Sequence, residues 1–449
     1  MSGPSGAVEE GTVAALSHEG AGVVHTGTDG PSAKTAFVAG ALPGEAVRFR
    51  RRRRHRQYDE AELEEVLVAS AARVAPRCPH FTLCGGCALQ HMEPAAQLAA
   101  KQRQLADALE RVARAMPQQW LPALAGPHWQ YRRRARLGIK YVPRKGRVLV
   151  GFRERLSSLV ADIDSCEILA PPLGALLAPL AALIMQLSIR DRLPQIEVAV
   201  ADEAAALVLR VLAPPTAADI ERLREFEQTH ALQLYLQTGG LDSIQPLTPP
   251  AAPLRYALPG FEVALEFLPT DFIQVNGAIN RALVARAVEL LAPEADSSVL
   301  DLFCGLGNFT LALARRAAHV VGVEGEAGLV QRARANAGRN GITNVDFVQA
   351  NLVLAGTAAG ASGVPPWLAR SYSHVLLDPP RIGARELLPA IARLRPGKLL
   401  YVSCHPGSLA RDIGELVHQY GFTLRQAGVV DMFPHTAHVE SIALLTAEA

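Results

Sequence analysis

A chain of 449 residues with 49% hydrophobic and 20% charged residues can bury sizeable cores, and at about 150 residues per domain it divides into two to four domains. That balance excludes a disordered or fibrous protein, no apolar run reaches the roughly 18 residues of a membrane span, and residues 1–10 lack the basic and apolar stretches of a secretory signal. The net charge of +2 selects no partner by itself, and the six cysteines of a chain expected in the cytoplasm point to metal or catalytic thiols rather than disulfides.

Short apolar clusters over 12–17, 21–25, 35–38, 46–52 and 61–68, punctuated by Gly20, Gly22, Gly30 and Leu42-Pro43-Gly44-Glu45, predict strands joined by turns. A five-stranded barrel of the oligonucleotide-binding type fits 1–69. Ser17-His18-Glu19-Gly20-Ala21-Gly22 with Phe37-Val38-Ala39-Gly40-Ala41-Leu42-Pro43-Gly44-Glu45 resembles the TRAM domain, which implies an RNA-binding barrel. The block Arg48 to Arg56 and a second cluster, Tyr131-Arg132-Arg133-Arg134-Ala135-Arg136, stand out in a nearly neutral chain. They point to phosphate binding rather than to a solvated face.

Cys78, Cys84 and Cys87 follow in a C-x5-C-x2-C arrangement around Gly85-Gly86, and Cys166 lies after strand-like segments at 147–152 and 158–163. Four thiolates suit an iron–sulfur cluster or tetrahedral zinc, and unliganded core cysteines are the third reading. Any bound metal would staple two distant segments together. Leu98, Leu105, Leu109 and Val112 recur at helical spacing and predict a helix over 94–115. It belongs to an α+β central domain over 70–266 or packs on the domain that follows. Strands are expected at 195–200, 206–212 and 232–237, and this region carries no catalytic signature.

From 267 to the end the pattern is α/β: helices over 280–291, 310–317 and 328–340 alternate with strands over 298–302, 320–324, 345–348, 374–377, 398–402 and 442–445. Such alternation implies a parallel, doubly wound, Rossmann-like sheet that binds ligands beyond its strand C-termini. The glycine loop Asp301-Leu302-Phe303-Cys304-Gly305-Leu306-Gly307-Asn308-Phe309 leaves the first strand there, and Glu324 ends the second, where a carboxylate can meet ribose hydroxyls. Cys404 follows the apolar strand Leu399-Leu400-Tyr401-Val402 and emerges at the same crevice, as does Asp378 before Pro379-Pro380-Arg381.

The loop lacks the third glycine of a dinucleotide fingerprint and resembles the donor loop of class I S-adenosylmethionine-dependent methyltransferases. Asp271-Phe272-Ile273-Gln274-Val275-Asn276, Asp378-Pro379-Pro380-Arg381 and Ser403-Cys404 narrow the resemblance to the RNA uracil-5-methyltransferases. The barrel and the cysteine quartet narrow it further, to the branch acting on 23S ribosomal RNA at position 1939. The resemblance covers nearly the whole chain. It implies a [4Fe-4S] cluster on Cys78, Cys84, Cys87 and Cys166, and methyl-donor contacts from Gln274, Phe303, Asn308, Glu324, Asn351 and Asp378. It also implies Cys404 as nucleophile and Glu440 as base, with Cys304 left as a packing residue. A thiol makes chemical sense for a carbon acceptor, because carbon 5 of a pyrimidine has no lone pair until a thiolate adds at carbon 6. The target base must first leave its stack. The chain is expected to act as a cytoplasmic monomer without a membrane partner. The rival readings are methylation of another uridine, in transfer or ribosomal RNA, and a non-catalytic RNA-binding assembly factor.

Overall fold

The computed structural model describes residues 7–26, 34–352 and 365–447, so the turn expected at Gly30 lies outside the described residues. Strands β1 (Val8–Leu16), β2 (Gly22–Thr26), β3 (Lys34–Ala39), β4 (Ala46–Arg54) and β5 (Tyr58–Val68) close into a barrel in the order β1-β2-β3-β5-β4. Their two-residue period sends Val13, Val24, Val38, Val47 and Phe49 inward.

The same period turns Arg48, Arg50 and Arg52 outward and leaves Arg51 largely buried, and acids on β1 and β5 meet all four. Arg48 pairs with Glu10 and Glu65 at 2.7 Å each, Arg50 with Glu64 at 2.9 Å, Arg51 with Glu9 and Asp59, and Arg52 with Glu62 at 3.1 Å. The block expected to bind phosphate thus meets carboxylates from both neighbouring strands. Cross-strand carboxylates already partner most of it, and among the described residues the exposed Arg53, Arg54 and Arg56 make no ion pair, although Arg53 and Arg54 lie in the strand ladder with β5.

After the short β6 (Gln119–Trp120), a second sheet is built from β7 (Arg134–Val142), β8 (Arg147–Gly151), β9 (Gln195–Val200), β10 (Ala205–Arg210), β11 (Gln233–Gln237) and β12 (Ile244–Pro246), in the order β12-β11-β10-β9-β7-β8. Helices Leu177–Gln186 and Ala217–Thr229 pack on it, the latter opened by a capping box between Thr216 and Asp219. The strand expected over 158–163 does not form. Arg153 and Val160 make an isolated bridge there, since Ser157 and Ser158 end the chain's extension in bends.

The hairpin β13 (Leu254–Leu258) and β14 (Val263–Phe267) leads into the third unit, whose core it joins. There β15 (Ser298–Leu302), β16 (His319–Glu324), β17 (Val345–Gln349), β18 (His374–Leu377) and β19 (Lys398–Ser403) run parallel, and β20 (Phe422–Val430) and β21 (Glu440–Ala447) complete the sheet with β6 at its edge. Both faces are covered, so the strands read as continuous apolar runs. On β19, Leu400 and Val402 enter one core while Leu399 and Tyr401 enter the other. The final strand β21 is antiparallel to β19 and sets Ser403 opposite Ser441.

Helix Pro94–Ala108 lies against this third unit, where Leu105, Leu109 and Ala113 join a core with Leu409, Ile413 and Leu416 of helix Pro406–Tyr420. Its last turn, Leu109–Ala113, is a π-helix. The wider turn rotates the helical stripe, so Val112, expected inside, is 54% exposed and Ala113 takes the buried place. Gly414 permits the contact, because a Cβ there would meet the Ala113 backbone at 3.1 Å. Helices Leu388–Leu394 and Pro406–Tyr420 and strand β20 were not among the expected elements, although Pro406 at the start and Gly421 after the end of the longer helix are boundary signals. No helix among the described residues is long and apolar enough to cross a membrane.

The π-turn assigns different energetic weights to two similar side chains. Leu109→Ala should destabilise by about 2–5 kcal/mol and Val112→Ala by no more than about 0.5 kcal/mol, measured as shifts in the chemical unfolding transition of the third unit.

Candidate active site

A cavity of about 480 Å3 opens at the C-terminal ends of β15, β16, β18 and β19. Gln274, Phe303, Glu324, Asp378, Cys404 and Glu440 line it together, although 166 positions separate the first from the last (440 minus 274). A doubly wound sheet makes this possible, because every parallel strand ends on the same side.

The glycine loop forms one wall. Phe303, Gly305 and Gly307 have φ of 66°, 55° and 91°, and the value at Phe303 is uncommon for a residue with a side chain. The N–H groups of Phe303 and Cys304 both donate to Val323 O, at 2.9 and 3.1 Å, turning the chain sharply off β15. Glu324 is fixed by backbone donors: Gly305 N–H to Oε2 at 3.1 Å, and Gly325 and Glu326 N–H to Oε1 at 2.7 and 3.0 Å. Asp301 beneath the loop accepts from Thr310 Oγ1 at 2.5 Å, and burial pushes it up to about 7. Cys304 is buried in the core. Asn308 points away from the cavity, with its amide bonded to Tyr256 Oη and to Asn280 at 2.9–3.0 Å. Asn351 is exposed and does not line the cavity either.

The other wall carries the candidate reactive groups. Cys404 stands just before helix Pro406–Tyr420, whose N-cap His405 accepts the Ser408 N–H at 3.1 Å. The positive helix end favours a thiolate, but burial and the Glu440 and Asp378 carboxylates push the thiol up, with Arg381 opposing them. Burial lifts Asp378 to about 7. Glu440, the first residue of β21, is pushed well above the usual carboxylate range by burial and then by Asp378. Arg381 donates to His438 Nδ1 at 3.0 Å. Phe272, 72% exposed, and Phe433 complete the cavity's rim. Sequence reasoning missed His438 and Phe433 as wall residues, for they belong to no spaced motif.

A second, smaller pocket gathers Cys78, Cys84, Cys87 and Cys166 with Phe81, Phe152 and Ile168. None is in a disulfide. Burial pushes Cys87 up to about 12 and Cys166 to about 11, and each also feels the neighbouring thiols. Arg155 donates from Nη2 to Phe81 O at 3.1 Å and Cys87 O at 2.9 Å, bringing a cation to the pocket. Among the described residues no three of His, Cys, Asp or Glu converge on a single ion position.

The second arginine cluster faces inward, a correction to its expected phosphate-binding role. Arg133 is buried, donates from Nε to Gln274 O at 2.8 Å and lies 4.5 Å from the Tyr256 ring centre. Arg134 donates to Val198 O and Pro269 O. These side chains pin the segment that carries Gln274, and Arg136 remains exposed in a pair with Glu197.

The model of the tRNA (uracil-5-)-methyltransferase family matches residues 256–448. The 23S rRNA (uracil(1939)-C(5))-methyltransferase RlmD of Alkalilimnicola ehrlichii is 51% identical, with 97% of this chain and 96% of the relative covered. The enzymes of the same name from Xanthomonas axonopodis pv. citri and Methylococcus capsulatus are each 49% identical, with 96% of this chain and 95% of the relative covered. Among solved structures, the Pyrococcus abyssi tRNA (uracil-54, C5)-methyltransferase in complex with S-adenosyl-L-homocysteine has the same fold, with a TM-score of 0.74 at 23% identity over 97% of this chain and 99% of that one.

Because the thiolate is the alkylated form, the raised thiol predicts that iodoacetamide labelling of Cys404, mapped by mass spectrometry, grows with pH to a midpoint above that of an ordinary cysteine. Asp378 is ionised where the thiol titrates. Asp378→Asn should therefore move the midpoint down, since one negative neighbour is gone.

Proposed function

The chain belongs to the 23S ribosomal RNA uracil-5-methyltransferase family, and from that premise we propose how its own residues perform the reaction. The protein transfers a methyl group from S-adenosylmethionine to carbon 5 of uridine 1939 in 23S ribosomal RNA. One observation carries the residue assignment: Cys404, Glu440 and Asp378 face a single cavity whose opposite wall is the glycine loop.

Gln274, Phe303 and Glu324 hold the donor on the loop side, and Asp378 meets it from the facing wall. Asn308 supports the loop from behind through Tyr256 and Asn280. The flipped uracil enters past Phe433 and His438. Cys404 thiolate adds to carbon 6, forming a C–S bond and pushing the ring electrons to carbon 5. That carbon takes the methyl group as its bond to the sulfonium breaks, leaving a neutral thioether. Glu440 carboxylate then removes the carbon 5 proton, the 5,6 double bond returns and the Cys404 sulfur leaves. Burial makes Glu440 a stronger base than a solvated carboxylate, at the cost of a smaller ionised fraction at neutral pH. The donor's positive charge beside Asp378 and Glu440 favours their ionised forms.

Cys78, Cys84, Cys87 and Cys166 are proposed to hold a [4Fe-4S] cluster. The residues fit it: four thiols free of disulfides, Cys87 buried and Cys78, Cys84 and Cys166 half-buried, share one pocket with an adjacent guanidinium. Tetrahedral zinc would need the sulfurs within roughly 4 Å of one another around one ion, whereas a cluster takes each thiolate at a separate iron. When bound, the cluster supplies a covalent staple between the 78–87 loop and the segment at Cys166. The reading includes action as a monomer in the cytoplasm.

Cys404→Ala should abolish methylation and all covalent protein–RNA adduct while donor binding persists. Glu440→Gln should slow release by about 100-fold or more and let a methylated adduct survive denaturing electrophoresis. Turnover by the alanine variant would refute the nucleophile, and an unslowed glutamine variant would refute the base. For the cysteine pocket, anaerobically purified protein should carry about four irons per chain. One zinc per chain without iron would overturn the cluster.

A further inference from the structure

The segment 431–438, which leads into Glu440 and supplies Phe433 and His438 to the cavity wall, is held mainly from outside its own domain. Lys101, 1% exposed on helix Pro94–Ala108, donates to Asp431 Oδ1 at 2.7 Å and to Phe433 O at 2.9 Å. Gln97, one turn earlier, accepts the His435 N–H at 2.9 Å, and its amide donates to Leu89 O and Met92 O at 3.0 and 2.7 Å. His435 O accepts the N–H groups of both Ala88 and Leu89 at 2.9 Å, directly after Cys87. Tyr131 Oη donates to Pro434 O at 2.9 Å, and the Trp129 ring lies 4.0 Å from that of His435. His435 itself adopts a left-handed φ of 63°, a conformation that costs a residue with a side chain free energy unless its surroundings impose it.

These contacts have a common direction. A helix and a loop from residues 88–131 fix four backbone or side-chain positions of a segment more than 300 residues later, and that segment ends at the cavity. We propose that Gln97 and Lys101 are positioning residues for the proton-removal step: they hold 431–438 so that Glu440 and His438 face the bound base. The inference rests on the assignment of Glu440 as base. Gln274, Glu324 and Phe303 lie on the opposite wall and are not touched by either side chain, so donor binding does not depend on the clamp.

The test uses the full-length protein with two variants. Gln97→Leu keeps the volume and removes every side-chain hydrogen bond of Gln97, including its contact with His435 Nδ1 at 3.2 Å. Lys101→Met with Asp431→Leu replaces the buried pair by apolar groups and leaves no orphaned charge. Turnover on 23S ribosomal RNA should fall by about 10- to 100-fold, affinity for S-adenosylhomocysteine should stay within about twofold of wild type, and methylated adduct should accumulate with both variants. Unchanged turnover overturns the proposal, as does a parallel loss of turnover and donor affinity, which would mark general destabilisation. Failure of the wild-type protein to form 5-methyluridine would instead refute the assigned reaction, and wild-type turnover without any effect of Glu440→Gln would refute the base on which the clamp depends.

Discussion

The antiparallel register of β21 on β19 is the constraint from which the active site follows. With Ser403 opposite Ser441, the next residue of each chain direction is Cys404 on one strand and Glu440 on the other. The proposed nucleophile and the proposed base thus meet at the strand ends, where the parallel strands also deliver Asp378 and the glycine loop. A slip of one residue would reverse the faces of β21 and remove Glu440 from the cavity. The two covered faces of the sheet resist such a slip, since Ile442, Ala443, Leu444 and Leu445 are all buried.

That convergence concentrates acids. Asp301, Asp378, Glu440 and Cys404 are all displaced toward their protonated forms, each chiefly by burial. Isolated, such a group is a liability to stability. Of these, Asp378, Glu440 and Cys404 line the cavity and in their ionised forms make it prefer a cation, which is the property a sulfonium donor requires, and they leave the neutral thioether product with less attraction for the site. Arg381, bonded to His438, is the local counterweight at the cavity mouth.

The N-terminal half contributes structure to the site. Arg133 and Arg134 fix the irregular segment that presents Gln274 before helix Gly277–Leu291, and helix Pro94–Ala108 completes the core behind Cys404. On the barrel, acids of β1 and β5 occupy the arginines of β4. Phosphate contact from this strand would have to displace those carboxylates or use Arg53, Arg54 and Arg56.

The sequence by itself determined the elements with a strong local signature. The five barrel strands, the alternating α/β pattern, the glycine loop, Glu324 at the end of its strand and Cys404 after an apolar run were all legible, because period, turn chemistry and strand ends are set by neighbouring residues. The tertiary structure alone decided which of those residues meet. It turned Asn308 behind the loop and left Asn351 off the cavity, since a motif position does not fix a side chain's direction. It paired most of the arginine block with carboxylates and buried the second cluster, since charge runs are read without their partners across the sheet. It also joined Lys101 to Asp431 over 330 positions, a pairing between two unremarkable charged residues that burial makes consequential and that spacing along the chain leaves unmarked.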